Sequence, residues 1–492
     1  MLANEGDLMH SGIRVSTQEK LSRTDIDSVD CSSLIATNQR SNSAENLDWD
    51  KQYVRNFDSL ELDNGDVVCY NGQNAPALLC SKVFEILTAF ETPSSINQIF
   101  KSDAGSFRIK EFGEMVESFI SLGLILPLNR IVPRPNEVID KLTAWLHITD
   151  VCNLSCSYCY LPHNPVTMSI ATGKGIIDSV FRSASEQGLE KIQLKYAGGE
   201  AMLKLPIICA LQKYAMELAA KHDVQLESVV LSNGTLINSS VIEELKKLNL
   251  HITISLDGLG PLHDQQRHHA NGKGSFAKVV DGIALLVAHG IKPFIAVTIS
   301  SNNVDGLAEL TEWLLRHDLP FKFSLYRDNA FAKSTHELML DEKKIIAGLR
   351  AAYKVIELNL PKKCLLNSLL DRSSLSEPQL RSCGAGENYM VFDYKGNVSK
   401  CQMQMNVSVT DFRSRDLLEE LQSSEKGVIN LSVDEREGCR DCKWKYWCGG
   451  GCPALTYRAT GRYDIKSPNC NIYKALYPEV VRLEGLRLQL FS

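Results

Sequence analysis

Three cysteines stand within eight residues at Cys152-Asn-Leu-Ser-Cys156-Ser-Tyr-Cys159, a C-x3-C-x2-C spacing directly after an apolar run at 144–149. Thiolates are ligands for zinc and for iron–sulfur clusters. Structural zinc asks for four ligands, commonly as two close pairs, which this set does not offer. Three thiolates suit three irons of a four-iron cubane and leave the fourth iron open to a small chelating molecule.

A second set gathers near the other end of the chain: Cys383, Cys401, Cys439, Cys442, Cys448, Cys452 and Cys470. The spacing is C-x17-C, then C-x2-C-x5-C-x3-C, then a last cysteine after 17 more residues, with Gly396 five residues before Cys401. Cys31, Cys69, Cys80 and Cys209 have no such spacing, and a buried free thiol is the reading for the last three.

Polar residues recur at the ends of apolar runs between the two sets. Tyr196-Ala197-Gly198-Gly199-Glu200 ends one run, and paired glycines let another group approach the backbone without a Cβ in the way. Ser232 and Ser255 end the next two runs, and Arg267 follows Ser255 by twelve residues. A guanidinium is shaped for a bidentate grip on a carboxylate. His263, His268 and His269, beside Asp264, read as solvated loop residues, since no C-x2-C pair lies near them.

Taken in order, these motifs resemble the radical S-adenosylmethionine (SAM) enzymes, whose signature loop follows the first barrel strand. The resemblance implies a [4Fe–4S] cluster on Cys152, Cys156 and Cys159, with SAM chelating the open iron. It places Tyr158 near the adenine, Gly198, Gly199 and Glu200 at the SAM amino group, and Ser232, Ser255 and Arg267 around the rest, the arginine near the carboxylate. Leu325, ending the sixth strand, falls in the same zone. The family usually reads Gly-Gly-Glu-Pro, and Ala201 stands where the proline would be. The C-terminal cysteines resemble a SPASM domain, which implies two auxiliary [4Fe–4S] clusters. Cys439, Cys442, Cys448 and Cys470 would hold the outer one, and Cys383, Cys401 and Cys452 the inner one. The inner set is one ligand short, because the cysteine that some relatives carry six residues after the first is Tyr389 here. Either an iron is open to substrate, or Cys364 or another group fills the place. No residue is singled out as a catalytic acid or base.

The elements that must position these residues are legible as periodicity. Strand patterns at 145–149, 192–196, 228–232, 252–256, 294–299 and 321–326 alternate with helical patterns at 173–187, 206–221, 241–248, 276–289, 305–316 and 342–358. Six βα units predict a parallel sheet, closed or partly closed, with reactive residues at the C-terminal ends of the strands. The expected class is α/β, with a partial (β/α)6 TIM-like barrel over 138–360. A winged-helix domain precedes it at 49–132, and a cysteine-rich iron–sulfur domain follows at 378–492. Residues 1–48 are polar and poor in aromatics, the composition of a mobile tail.

Within 49–132, strands at 53–57 and 67–70 precede helices at 75–90 and 95–100. A third helix carries Phe112, Met115, Val116, Phe119 and Ile120 on one face, and Gly123 ends it before a strand at 124–126. This unit resembles the RiPP recognition element of enzymes that modify ribosomally made peptides, through residues 67–71, 80–87 and 123–125. That likeness implies a leader peptide docking as an added strand. Beyond 378 regular structure thins, and metal is expected to hold the fold.

Composition excludes several classes. The chain is 44% apolar and 23% charged with a net charge of −6, and no basic block points to nucleic acid. No run of 18 apolar residues predicts a membrane span. The first residues lack a signal-peptide pattern, so a cytoplasmic site is expected, where 15 cysteines point to metal rather than disulfides. The function expected is a radical SAM maturase. It would reductively cleave SAM to a 5′-deoxyadenosyl radical and oxidatively modify a precursor peptide, forming a thioether or a side-chain carbon crosslink. A reductase such as a flavodoxin or ferredoxin would supply electrons. The alternative is an anaerobic sulfatase-type maturase making formylglycine; that group carries Asp where this chain has Gln402. From another class, the chain would be a non-catalytic metal-cluster scaffold.

Overall fold

The computed structural model describes residues 13–15, 47–103, 108–129, 134–135, 139–332 and 335–491. Six parallel strands, Lys141–Thr149, Lys191–Gly198, Gln225–Ser232, His251–Ser255, Phe294–Ile299 and Phe321–Leu325, pair in chain order. Helices Ile170–Glu186, Leu205–His222, Ser239–Lys247, Phe276–Ala288, Leu307–Arg316 and Glu342–Leu358 alternate with them. Several helices begin on a side-chain cap, as where Asn238 accepts from the Val241 N–H at 3.1 Å. All six strand patterns and all six helical patterns lie where periodicity put them, with ends shifted by a few residues.

The strands alternate in an informative way. Ile295, Val297, Ile299, Phe321, Phe323 and Leu325 are buried in the main apolar core under the helices. Their neighbours Ala296, Thr298, Lys322 and Ser324 point inward and are only half-buried. A closed eight-stranded barrel fills its interior with side chains. Six strands leave this one open, with a polar lumen.

The sheet does not stop at the first barrel strand. Tyr389–Phe392 runs parallel to Lys141–Thr149, with Tyr389 opposite Thr143 and Phe392 opposite Leu146. Asn397–Ser399 and Thr410–Asp411 then extend it antiparallel to nine strands. The C-terminal domain is thereby hydrogen-bonded into the barrel sheet. The helix Cys470–Phe491, 22 residues long, corrects the expectation that regular structure fades after 378. Its Ile472, Leu476, Val480 and Leu488 enter the main core, so apolar burial, not metal alone, holds this end.

The N-terminal domain has its own core around Phe90, Phe112, Val116 and Phe119. Helices Ser81–Thr88, Ile96–Asp103 and Ile109–Ser121 pack with an antiparallel sheet ordered Ile13–Val15, Ala77–Leu79, Val67–Tyr70, Asp58–Glu61. Two expectations are corrected. The helix at 75–90 begins only at Ser81, because Ala77–Leu79 is a strand whose pairing to Val67–Cys69 and complete burial override its helical residue types. In the stretch 1–48, Ile13–Val15 is a sheet strand with Ile13 buried, not tail. The remainder of that stretch up to residue 46, Cys31 included, lies outside the described residues.

Tyr70 stacks on Trp444, 5.5 Å between centroids and 8° between planes, and Trp444 stacks in turn on Tyr477 at 4.9 Å. The N-terminal domain therefore sits on the cysteine-rich domain. Among the described residues, no helix is long and apolar enough to cross a membrane.

Candidate active site at the barrel mouth

The Cys152–Cys159 loop leaves the C-terminal end of the first strand and is clamped from the opposite wall. Ser155 N donates to His268 O at 2.7 Å, and Ser157 N to Gln266 O at 2.9 Å. Leu154 and His269 form a bridge, and Asn153 ties the loop sideways through Asn233 at 2.8 Å and Thr235 at 2.8 Å. The Leu154 N–H points at Cys152 Sγ at 3.4 Å. Burial pushes the Cys156 thiol up to about 12, with Arg267 working against it, and Cys152 up to about 11, opposed first by that Leu154 N–H. Thiols this reluctant to ionise need bound cations to become thiolates.

Glycines let the second strand close on this loop. A Cβ on Gly199 would fall 2.5 Å from both Asp150 O and Val151 O, and one on Gly198 2.2 Å from Thr149 O. Gly199 N donates to Thr149 O at 2.7 Å, and Glu200 N to Val151 O at 2.9 Å. The glycine pair thus serves backbone-to-backbone contact. Glu200 is completely buried, and its carboxylate accepts from Asn233 N at 2.6 Å, Met202 N at 2.9 Å and Ser232 Oγ at 3.0 Å. Burial raises its pKa while those three donors lower it. The Glu200 and Ser232 side chains serve each other and the strand ends.

On the opposite wall Asp257, wholly buried, is a hub. It accepts from the Tyr158 hydroxyl at 2.6 Å and from Thr298 N at 2.8 Å, and Arg267 lies 3.5 Å away. The Arg267 guanidinium also donates to the Tyr158 hydroxyl, while its Nε is buried with no protein partner among the described residues. Burial alone would lower this guanidinium's pKa, but Tyr158, Cys156 and Asp257 together hold it up. Ser255, at the end of the fourth strand, is half-buried on the lumen side.

Two readings are corrected here. His263 is not solvated: it is fully buried, takes the Asp257 N–H on Nδ1 at 3.3 Å, and faces Ser275 Oγ at 3.0 Å through Nε2. Leu325 does not face the site. Its parity on the sixth strand turns it outward, against Ile299, Phe323, Leu349 and Tyr473.

The C-terminal cysteines fall into two groups. Cys439, Cys442, Cys448 and Cys470 influence one another electrostatically, and Cys383, Cys401 and Cys452 form the other neighbourhood, with Arg372 beside all three. Cys364 is buried in the main apolar core. The hydroxyl of Tyr389, which stands in place of a cysteine, donates to Gln402 Oε1 at 3.0 Å. Tyr160 is raised first by burial, then by Cys159 and Cys401, so the charges of both the barrel loop and the inner group act on it. Asp257, Asn153, Asn233, Tyr160 and Arg372 escaped sequence reasoning. Only the Ser-Leu-Asp-Gly strand ending hinted at the first of them.

The donor sets fit iron–sulfur clusters. The donors are all free thiols, four cysteines in one group and three in each of the other two, which suits the separate irons of a cubane. The unpartnered Arg267 Nε beside the three-cysteine loop fits a carboxylate-bearing ligand on the fourth iron.

Residues 146–314 match the profile of the Radical SAM superfamily. The chain is 33% identical over 152 residues to a serine-type anaerobic sulfatase-maturating enzyme of Bacteroides thetaiotaomicron, covering 29% of this chain and 35% of that one. It is 25% identical over 367 residues to an Fe-coproporphyrin III synthase of Methanosarcina barkeri, covering 67% and 87%. Among solved structures, anSMEcpe with bound AdoMet and the Cp18Cys peptide superposes with TM-score 0.59 at 19% identity, over 71% of this chain and 99% of that one. Streptococcus suis SuiB bound to S-adenosylmethionine superposes with TM-score 0.50 at 15% identity, over 85% and 99%. These likenesses establish the fold. Residues 146–314 of this chain are therefore a radical SAM domain, of the superfamily whose enzymes work with a [4Fe–4S] cluster and S-adenosylmethionine.

Proposed function

We propose that this chain is a radical SAM maturase that oxidises a ribosomally made precursor peptide, closing a thioether or a side-chain carbon crosslink. When bound, the cluster and SAM supply a 5′-deoxyadenosyl radical able to take hydrogen from an unactivated carbon. Cys152, Cys156 and Cys159 would hold that cluster, and Arg267, Ser255, Tyr158 and the backbone at Gly198–Gly199 would hold SAM. Asp257 keeps Arg267 and Tyr158 in place.

The observation that carries the oxidative reading is Tyr160, which feels both Cys159 and Cys401. An inner cluster on Cys383, Cys401 and Cys452 would face the radical site across one side chain, placed to accept the electron left when the substrate radical closes a bond. The outer cluster, on Cys439, Cys442, Cys448 and Cys470, would share in accepting it, while a flavodoxin or ferredoxin in a reducing cytoplasm would supply the electron that cleaves SAM. The N-terminal domain supports a peptide substrate: its antiparallel sheet and three helices suit leader docking by strand addition.

The test is anaerobic. Reduced, reconstituted protein with SAM is expected to release 5′-deoxyadenosine, and none would overturn the enzyme reading in favour of a scaffold. Short peptides encoded beside the gene are then offered with SAM and read by mass spectrometry. Loss of two hydrogens with both side chains retained is expected. Conversion of a Cys or Ser to an aldehyde would instead establish formylglycine chemistry, the reading favoured by the likeness to the sulfatase-maturating enzyme. Gln402 speaks against that reading, because an amide cannot take the proton that the carboxylate of that group takes.

A further inference from the structure

The lumen of the barrel carries charge that the fold does not balance. Lys195, on the second strand, has the apolar-core residues Leu194 and Tyr196 on either side and points inward; Lys322 does the same between Phe321 and Phe323. Both are half-buried, and neither has an ion-pair partner within reach among the described residues. The charges that act most on them are those of Lys141, Arg327 and Arg372, against Glu227 and Asp371. Both carboxylates are already engaged: Glu227 pairs with Lys141 at 3.0 Å, and Asp371 takes two bonds from Arg327 at 2.7 and 2.8 Å.

The inner cysteines do not supply the missing charge for the lysines. They lie beside Arg372 and Arg327, whereas the charges that act most on Lys195 and Lys322 are those of Lys141, Arg372, Arg327, Glu227 and Asp371. Arg372 is held in place by a left-handed backbone, φ +57°, uncommon for a residue with a side chain. The Nε atoms of Arg372 and Arg327 are buried without a protein partner among the described residues. Buried charge is ordinarily paired; Arg372 and Arg327 have the inner cysteines and Asp371 beside them, which leaves the two lysines as the charges that call for an anion from outside the chain.

We propose that Lys195 and Lys322, with the Arg372 guanidinium beside both, receive a carboxylate of the substrate. On the peptide reading, from which the proposal follows, that carboxylate is an acidic side chain near the reacting residue. The crowding lowers Lys195 to about 8, through burial first and then through Lys141, Lys322 and Arg372, and a bound carboxylate relieves it. Two ammonium groups and a guanidinium converging on one oxyanion make charge-assisted bonds, the stronger kind. Lys195 and Lys322 lie on their strands short of the C-terminal ends that lead to the cysteine loop, so a carboxylate held there would fix which substrate carbon faces the radical.

The proposal is tested by lysine footprinting on the full reconstituted chain with SAM, each lysine's acylation rate being read by mass spectrometry. The probes are a Glu-rich octapeptide, its Gln counterpart, and coproporphyrin III, the tetrapyrrole in the name of one relative. The Glu peptide is expected to slow labelling of Lys195 and Lys322 about tenfold, the Gln peptide to leave it unchanged, and exposed Lys246 to be indifferent to all three. Equal protection by the Glu and Gln peptides would overturn the carboxylate site while leaving a peptide substrate standing. Protection by coproporphyrin III alone would uphold the site and remove the peptide reading. No protection by any probe would overturn the proposal. Lys322→Met should abolish the protection of Lys195, and undiminished protection in that variant would overturn the shared site.

Discussion

Arg267 is held from two sides, by the Tyr158 hydroxyl and by Asp257, with its Nε left unpartnered among the described residues. A fork fixed in advance loses little side-chain freedom when it grips a carboxylate, and lysine cannot reproduce its two parallel bonds. Arg267→Lys should therefore weaken SAM binding about tenfold or more in equilibrium dialysis, with iron content unchanged. Unaltered affinity would remove Arg267 from the SAM site. His263 makes a second prediction. Burial lowers its pKa to about 3, below the 6.5 of a free imidazole, so between those values the unfolded chain binds a proton that the folded chain refuses. Stability is then full above about pH 6.5 and falls as pH drops towards 3, by about 1.4 kcal/mol per pH unit from this group. His263→Gln should flatten that slope in urea unfolding between pH 7 and 5, and an unchanged slope would assign the acid sensitivity elsewhere.

At the scale of elements, the site is a seam between the ends of the first four strands. The second strand reaches the cysteine loop only because Gly198 and Gly199 present no Cβ to the backbone at 149–151. A methyl group on Gly199 would meet two carbonyl oxygens at 2.5 Å, backbone atoms that cannot swing aside as a side chain would. Gly199→Ala should push the loop off its register, at a cost of about 1–3 kcal/mol. Iron should fall by about one four-iron cluster while the iron held by the C-terminal cysteines stays. Full iron content with normal SAM binding would show that the loop tolerates the displacement.

Across the whole molecule, an aromatic column joins the two flanking domains. Tyr70 of the N-terminal sheet lies on Trp444, which touches Trp447 and Tyr477, and Tyr477 is hydrogen-bonded to Cys448. Gly485 admits Val68 at the same junction, where a Cβ would come within 2.2 Å of Val68 Cγ2. Tyr70→Ala removes a ring buried on both sides, a loss of about 3 kcal/mol, concentrated at this interface. Calorimetry should then show the N-terminal domain melting as a separate, earlier transition with iron retained. A single unchanged transition would mean that the packing of Val68 on Gly485 and the ion pair of Lys443 with Asp58 suffice to couple the domains.

What the chain declares by itself is whatever depends on residues close together in sequence. Cys152, Cys156 and Cys159 stand within eight residues, so their spacing by itself marks a candidate cluster site. The barrel's strands and helices show because periods of two and 3.6 are local properties of the backbone. The tertiary structure decides what depends on partners hundreds of residues away. The pairing of Tyr389–Phe392 with the first barrel strand has no local signature, nor has the strand at Ala77–Leu79. Leu325 turns outward and Lys322 inward by one step of strand parity, which register alone determines. His263 looks like a loop histidine until Asp257 and Ser275 close over it. The three-cysteine loop was legible because its thiols stand side by side in the chain. The charge of the lumen emerged only when six strands curved their inward side chains towards one another, since electrostatic fields add in space and not along the sequence.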